Sequence, residues 1–351
     1  MRPRAWCGVL AAVALSATAC GGGGPEAGEA GAAAKGSGFP VTVSDCMGAR
    51  TTFDAAPKKI VTSNAAALEL LMWLGAGDKV VGTGFPPGKG AVPGQFADRA
   101  GKVPVLGKTV IPKEKLLASG AEVYIDSFSS MKNMGGMGDA PKPEEFKAAG
   151  IKHVFLKSTA CAAMNKAPRT DLSAVTADIE ELGRITGTSA RAAELVRAMR
   201  KKTDGVRDAL KDVPEDKRPS YFLFDYDAGT KQPMAVCNRQ VANAVITMAG
   251  GRNVFAGCDG DFKPVGWEDV VAKNPDWIQL AVRNRGSEEA ERKAFDEAAD
   301  FLRTFSATKD LKAVKEGRFL RIGSERTTIG GVRSADTVRE IAHTLHPDRV
   351  K

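Results

Sequence analysis

The sequence predicts an α/β protein of two lobes, each a parallel-rich sheet flanked by helices, joined by one long connecting helix. Three observations carry this. Short β-branched runs alternate with helical patterns through the first half of the chain. The alternation then stops between Leu172 and Leu210, where the pattern is helical almost throughout. It resumes at "SYFLFDY" (220–226) and continues to the C-terminus. The chain has 351 residues, which is long for a single core and natural for two.

Taken in order, the chain opens with Arg2 and Arg4, then a mainly apolar run from Ala5 to Ala19. A basic start, a short apolar segment and small residues before a cut make a secretory signal over 1–19. The run is short for a membrane span. Ala17, Thr18, Ala19 and Cys20 resemble a bacterial lipobox, with Ala17 where that motif usually has leucine. The resemblance implies lipidation of Cys20; the alternative is an ordinary secretory signal that ends near a cysteine. Residues 20–39, rich in glycine and alanine, read as a flexible tether.

The first lobe is expected over 40–171. Its strand candidates are "KKIVTS" (58–63), "KVVGTG" (79–84), "AEVYID" (121–126) and "KHVFLK" (152–157). Between them "AAALELLMWLG", "PKEKLLASG" and "PEEFKAAG" are apolar at helical spacing and closed by glycine. Such βαβ punctuation implies a largely parallel sheet. The connector is expected over 172–211. Leu172, Val175, Ile179, Leu182 and Ile185 form one stripe, and Leu195, Met199, Val206 and Leu210 form a second beyond Gly183 and Gly187. The second lobe, 212–351, continues with "PDWIQLAV" (275–282), a charged helix near 288–304, "RFLRIG" (318–323) and a last helix near 332–345.

Charge and cysteine usage narrow the function. The formal charge is +8, and removing Arg2 and Arg4 with the leader leaves +6. The basic residues are spread among acids with no aromatic interleaving, so nucleic acid is a poor partner. Cys46, Cys161, Cys237 and Cys258 remain after the leader and the lipidated Cys20, and four cysteines in an exported chain allow three pairings. Cys46 with Cys161 and Cys237 with Cys258 is favoured, because each pair then lies within one lobe; free buried thiols are less expected outside the cell. There is no CxxC to suggest zinc, and no GxSxG, HExxH or Walker loop to suggest an enzyme.

The layout resembles the substrate-binding lipoproteins of iron–siderophore and cobalamin ABC importers. "APKKIVTSNAAALELLMWLGAGDKVVG" opens the first lobe as that family does, and "MAGGRNVF", "WEDVVAKNPDWI" and the closing "LHP" mark the second. The family's usual strand ending "PDLV" is here "AEVYID". Cys46 and Cys161 also fall where a Gram-positive branch of the family carries a paired cysteine. The resemblance implies a ligand cleft between the lobes, modest hinge motion, no resident cofactor, ABC permease subunits as partners and a monomer. A ferric siderophore is the leading ligand, followed by cobalamin or haem. A ligand sensor without transport would share the same fold.

Ligand contacts are expected from loops at the carboxyl ends of strands: Asn64, Phe85, Phe128, Met131, Tyr226, Trp267, Arg283, Arg285 and Arg326. Aromatics offer apolar walls, and arginines offer forked donors to carboxylate or catecholate oxygens. The bland alternatives are surface charge for each arginine and packing against the second lobe for Trp267. Glu69 is the lone charge in "AAALELLMWLG", off the face made by Leu68, Leu71 and Met72. It is either a solvated helix residue or, as the resemblance implies, a permease-docking carboxylate, with Glu268 its equivalent on the second lobe. Met131, Met134 and Met137 recur in a glycine-rich loop: an adaptable apolar lip, or soft ligands for Cu(I). His153, His343 and His346 are the only histidines and are dispersed, which disfavours free zinc or manganese.

Overall fold

A computed structural model describes residues 38–128, 140–164 and 166–351. The leader, Cys20 and its tether up to residue 37, and Met131, Met134 and Met137, lie outside the described residues.

The first lobe begins with an antiparallel hairpin of β1 (Val41–Ser44) and β2 (Arg50–Phe53). There follow β3 (Ile60–Thr62), α1 (Ala65–Trp73), β4 (Val80–Thr83), α2 (Gly94–Gly101), α3 (Lys113–Leu117), β5 (Val123–Asp126), α4 (Pro143–Ala148), β6 (Lys152–Phe155) and α5 (Lys157–Ala160). The sheet order is β4-β3-β5-β6 and every pairing is parallel. All four strand candidates of this lobe are strands. Ile60, Val61, Val123 and Ile125 are buried on both faces of the sheet, as a parallel sheet covered by helices requires.

The connector departs from the single helix read in the sequence. It is two helices, α6 (Ser173–Thr186) and α7 (Ser189–Leu210). Gly187 ends α6 in the left-handed region at φ 76°, and Thr188 donates its N–H back to the Gly183 carbonyl at 2.7 Å. The chain then turns so closely that a Cβ on Gly183 would stand 2.4 Å from that of Ala192. The two stripes thus face a shared core: Ile179, Leu182 and Ile185 of α6 pack with Leu195, Met199 and Val206 of α7, with α1 residues of the first lobe in the same cluster.

The second lobe contains β7 (Ser220–Asp225), β8 (Met234–Val236), α8 (Val241–Met248), β9 (Arg252–Asn253), β10 (Phe262–Pro264), α9 (Trp267–Lys273), β11 (Trp277–Ala281), α10 (Glu288–Thr304), α11 (Lys312–Lys315), β12 (Phe319–Arg321), α12 (Ser324–Thr328) and α13 (Ser334–Leu345). Its sheet, β12-β11-β7-β9, is parallel, and β8 pairs antiparallel with β10 beside it. Gln279, fully buried in β11, accepts from the Tyr221 hydroxyl at 2.9 Å and donates to Thr327 Oγ1 and the Ile322 carbonyl. A buried amide with its partners met adds no desolvation penalty to the core. One disulfide joins Cys46, in the β1–β2 turn, to Cys161 at the end of α5. The other joins Cys237, after β8, to Cys258, before β10. Gly36–Lys351 form one compact unit. No described helix is long and apolar enough to cross a membrane.

Candidate functional site: the carboxyl ends of two sheets

In the first lobe the strand ends converge on a small polar and aromatic rim. Asn64 follows β3 and caps α1, its Oδ1 accepting from the Ala67 N–H at 2.9 Å. Its Nδ2 has no hydrogen-bond partner among the described residues although the residue is buried, and the same holds for Ser127 Oγ at the end of β5. Ser127 N–H donates to Ser63 Oγ at 3.0 Å, tying the two strand ends together. Phe85, beyond β4, holds φ at +33°, a region few side chains adopt. It is fixed there by its N–H to the Thr109 carbonyl and its own carbonyl to the Ala65 N–H. Its ring meets that of Phe128 edge-on at 5.7 Å. Asn64, Phe85 and Phe128 therefore share one rim.

The second lobe presents a charged rim at the ends of β7, β11 and β12. Asp227 accepts from the Arg283 N–H at 2.6 Å and pairs with the Arg285 guanidinium. Burial pushes the Asp225 and Glu325 carboxyls above the ordinary carboxylate range, while the charge of Arg283 pulls both back. The two rims meet: a Cβ on Gly88, in the loop after β4, would fall 1.8 Å from Asn284 Oδ1 and 2.7 Å from Gly286 Cα. Glycine is required at 88 for that approach.

Four of the expected site residues stand elsewhere than the sequence suggested. Trp267 is 6% exposed, its ring lying 5.3 Å from Phe224, 5.7 Å from Phe305 and 5.8 Å from Phe301. Its indole N–H is met by the Thr230 carbonyl at 2.8 Å, so it packs the second lobe, and it also lines the groove beside Glu268. Tyr226 leans its ring on Phe224 and Phe301 of the same cluster. Arg326 turns to α13, donating to Glu340 at 2.7 Å and Thr337 at 3.3 Å, whereas Arg285 pairs with Asp227. Glu69 is 8% exposed rather than on an open rim. Ala67 to Met72 of α1 are all buried, so this helix has no solvated face to carry a docking charge. The Glu69 carboxylate is instead held by Arg333 and by the Trp73 indole N–H. Glu268 does stand exposed, on the first turn of α9, at a groove of about 720 Å³ lined also by Lys231, Gln232, Val271 and Phe305.

Sequence reasoning placed Asp227 only within the loop from Tyr226 to Arg239, and it missed Arg333 and a seam beside the connector. There Arg169 donates its N–H to the Asn238 carbonyl at 2.7 Å and its guanidinium to the Ser158 and Lys157 carbonyls. Asp178, on α6, accepts the Lys157 and Ser158 N–H groups at 2.9 and 2.8 Å. Its one readable signal is an acid set in the apolar stripe beside Val175, Ile179 and Leu182. Among the described residues no group of three or more His, Cys, Asp or Glu could hold a metal ion.

The profile of the periplasmic binding protein family matches residues 60–325. The chain is 26% identical over 321 residues to the uncharacterized ABC transporter substrate-binding lipoprotein YvrC of Bacillus subtilis (strain 168), covering 89% of this chain and 88% of that one. It is 24% identical over 248 residues to a cobalamin-binding protein of Halobacterium salinarum, 70% of this chain and 59% of that one. A periplasmic binding protein from Veillonella parvula superposes with a TM-score of 0.73 at 25% identity, covering 88% of this chain and 99% of that one. An ABC-type Fe3+-hydroxamate transport system from Saccharomonospora viridis shares the fold, with a TM-score of 0.69 at 24% identity over 88% of this chain and 99% of that one.

Proposed function

We propose a function from one premise: the chain belongs to the periplasmic binding protein family. It is the extracytoplasmic substrate-binding component of an ABC importer and not an enzyme. It takes a small-molecule ligand between its lobes and delivers it to transmembrane permease subunits. The observation that carries this reading is the extent of the match. Residues 60–325 run from β3 of the first sheet into α12 of the second, so both walls of the cleft belong to the family. Two lobes that meet at the carboxyl ends of their strands bury a ligand that neither would bury alone.

The ligand is a chelated metal, a ferric siderophore before cobalamin or haem. The first-lobe rim supports it: the edge-on Phe85–Phe128 pair offers apolar surface, and beside it the buried Asn64 Nδ2 and Ser127 Oγ have no hydrogen-bond partner among the described residues. A bulky chelate rich in carbonyl oxygens uses both. The arginines contribute less than their number suggests, because Arg285 is neutralised by Asp227 and Arg326 by Glu340. Titrating the purified protein with ferric hydroxamates, ferric catecholates, cobalamin and haem, read by tryptophan fluorescence, tests this. One class should bind and be recovered unchanged; no binding across the panel, or consumption of a ligand, would defeat the reading. The chain works on the outer side of the membrane, and Cys20 is the proposed point of lipid attachment.

A further inference from the structure

Glu69 and Arg333 lie 264 positions apart and form a two-pronged ion pair. Arg333 Nε donates to Glu69 Oε1 at 2.8 Å, and Nη2 donates to Oε2 at 2.6 Å. Nη2 also reaches the Ala91 carbonyl at 2.6 Å, and the Trp73 indole N–H donates to Glu69 Oε1 at 3.0 Å. Every one of these contacts has a lobe to which it belongs. Glu69 and Trp73 are on α1, which packs on β3 and β4, and Ala91 is in the loop that follows β4. Arg333 precedes α13, which packs on the connector helix α7 and on α8 and α12 of the second lobe.

We infer that Glu69 and Arg333 are a clasp between the lobes that holds the cleft in its closed arrangement. Two further contacts cross nearby, the close approach of Gly88 to Asn284 and the Gly330 N–H to Thr159 Oγ1 at 3.2 Å. Neither carries the strength of a charge-assisted, bidentate pair in a partly buried setting. The Arg169 contacts tie the lobes at the β6 edge of the first sheet, whereas the clasp ties them beyond β4, the opposite edge. The flanking groups fix its polarity: the Ala91 carbonyl demands a donor at 333, and the Trp73 N–H demands an acceptor at 69. Separating the lobes on that side breaks the three hydrogen bonds that Arg333 makes and exposes the Glu69 carboxylate, which keeps only the Trp73 indole N–H.

The clasp rests on the reading of a cleft that opens to admit ligand, but its test uses no ligand. Hydrogen–deuterium exchange is measured on the ligand-free protein for the native chain, Arg333→Met and Glu69→Gln. Amides of 86–93 and 329–337 should exchange on the order of tenfold faster in both variants, with β7 and β11 unchanged. Small-angle scattering should show a larger radius of gyration in the same samples. Arg333→Lys, which retains the charge but not the fork, should fall between and guards against a methionine variant that folds poorly. Unchanged exchange at both segments overturns the clasp. So does a uniform rise that includes β7 and β11, since that is the mark of a pair that only stabilises the fold. Neither result bears on ligand binding, which the fluorescence panel decides separately.

Discussion

Asp178 shows how one buried residue makes stability depend on pH. It sits on α6 among apolar neighbours, 5% exposed, and burial pushes its carboxyl up to about 6 from an ordinary 3.8. The Ser158 and Lys157 N–H groups pull the other way without cancelling burial. The folded chain therefore holds this proton more tightly than the unfolded chain does. The stability it confers is complete below about pH 4 and is lost as pH rises through about 6. Against Asp178→Asn, the native protein should lose roughly 2 kcal/mol between pH 4 and pH 7. Urea denaturation of both proteins at stepped pH gives the difference directly, and a difference that stays flat with pH would remove the burial argument. Trp267 makes a related point: its identity suited a ligand wall, but its indole N–H and ring are already satisfied within the second lobe.

Among elements, the disulfides and the connector divide the mechanical work. Cys46–Cys161 closes a separation of 115 residues and Cys237–Cys258 one of 21. If a crosslink acts mainly by restricting the unfolded chain, the first contributes about 5 kcal/mol and the second about 3 kcal/mol. The Cys46→Ser/Cys161→Ser pair should therefore lower the denaturation midpoint more than Cys237→Ser/Cys258→Ser. Equal losses would mean that native packing around each bridge outweighs loop length. The connector is stiff for a different reason. Its two helices share one apolar core with α1, α8 and α13, so bending it would open packed surface and not merely turn a loop. That arrangement favours small lobe movements, at the low end of hinge closure.

For the whole molecule, delivery should be separable from capture. Glu268 is exposed and has no ion pair among the described residues, on the opposite lobe from the occupied Glu69. Reversing it by Glu268→Arg should sharply reduce uptake in cells while leaving ligand affinity within about twofold, because like charges at an interface disrupt recognition. Loss of affinity in the purified variant would place Glu268 in the cleft. Anchoring is a second property of the whole chain. Cys20→Ser should move the protein from the membrane fraction to the medium, since acylation needs the thiol and stable retention needs more than one acyl chain. Unaltered retention would disprove the lipid anchor at Cys20.

Most strands of the two parallel sheets and most of the helices between them were legible in the sequence by itself, whereas the antiparallel β1–β2 and β8–β10 pairs were not. Strand and helix follow from periodicity and glycine punctuation, which act over a dozen residues and need no knowledge of neighbours. Even the break in the connector left its mark, as two stripes separated by Gly183 and Gly187, although the sequence alone read them as one helix. Asn64, Phe85 and Phe128 were expected on one rim because each follows a strand, and topology alone sets which strand ends lie side by side. What only the tertiary structure decided was the fate of each charge. Glu69 finds Arg333, Arg285 finds Asp227 and Arg326 finds Glu340 across long stretches of chain, or across a turn of structure that no local pattern encodes. A charge does not announce its partner in sequence, because Coulomb attraction depends on distance and burial in the folded state. Those are properties of the assembled lobes, and they turned a presumed docking carboxylate into an internal one.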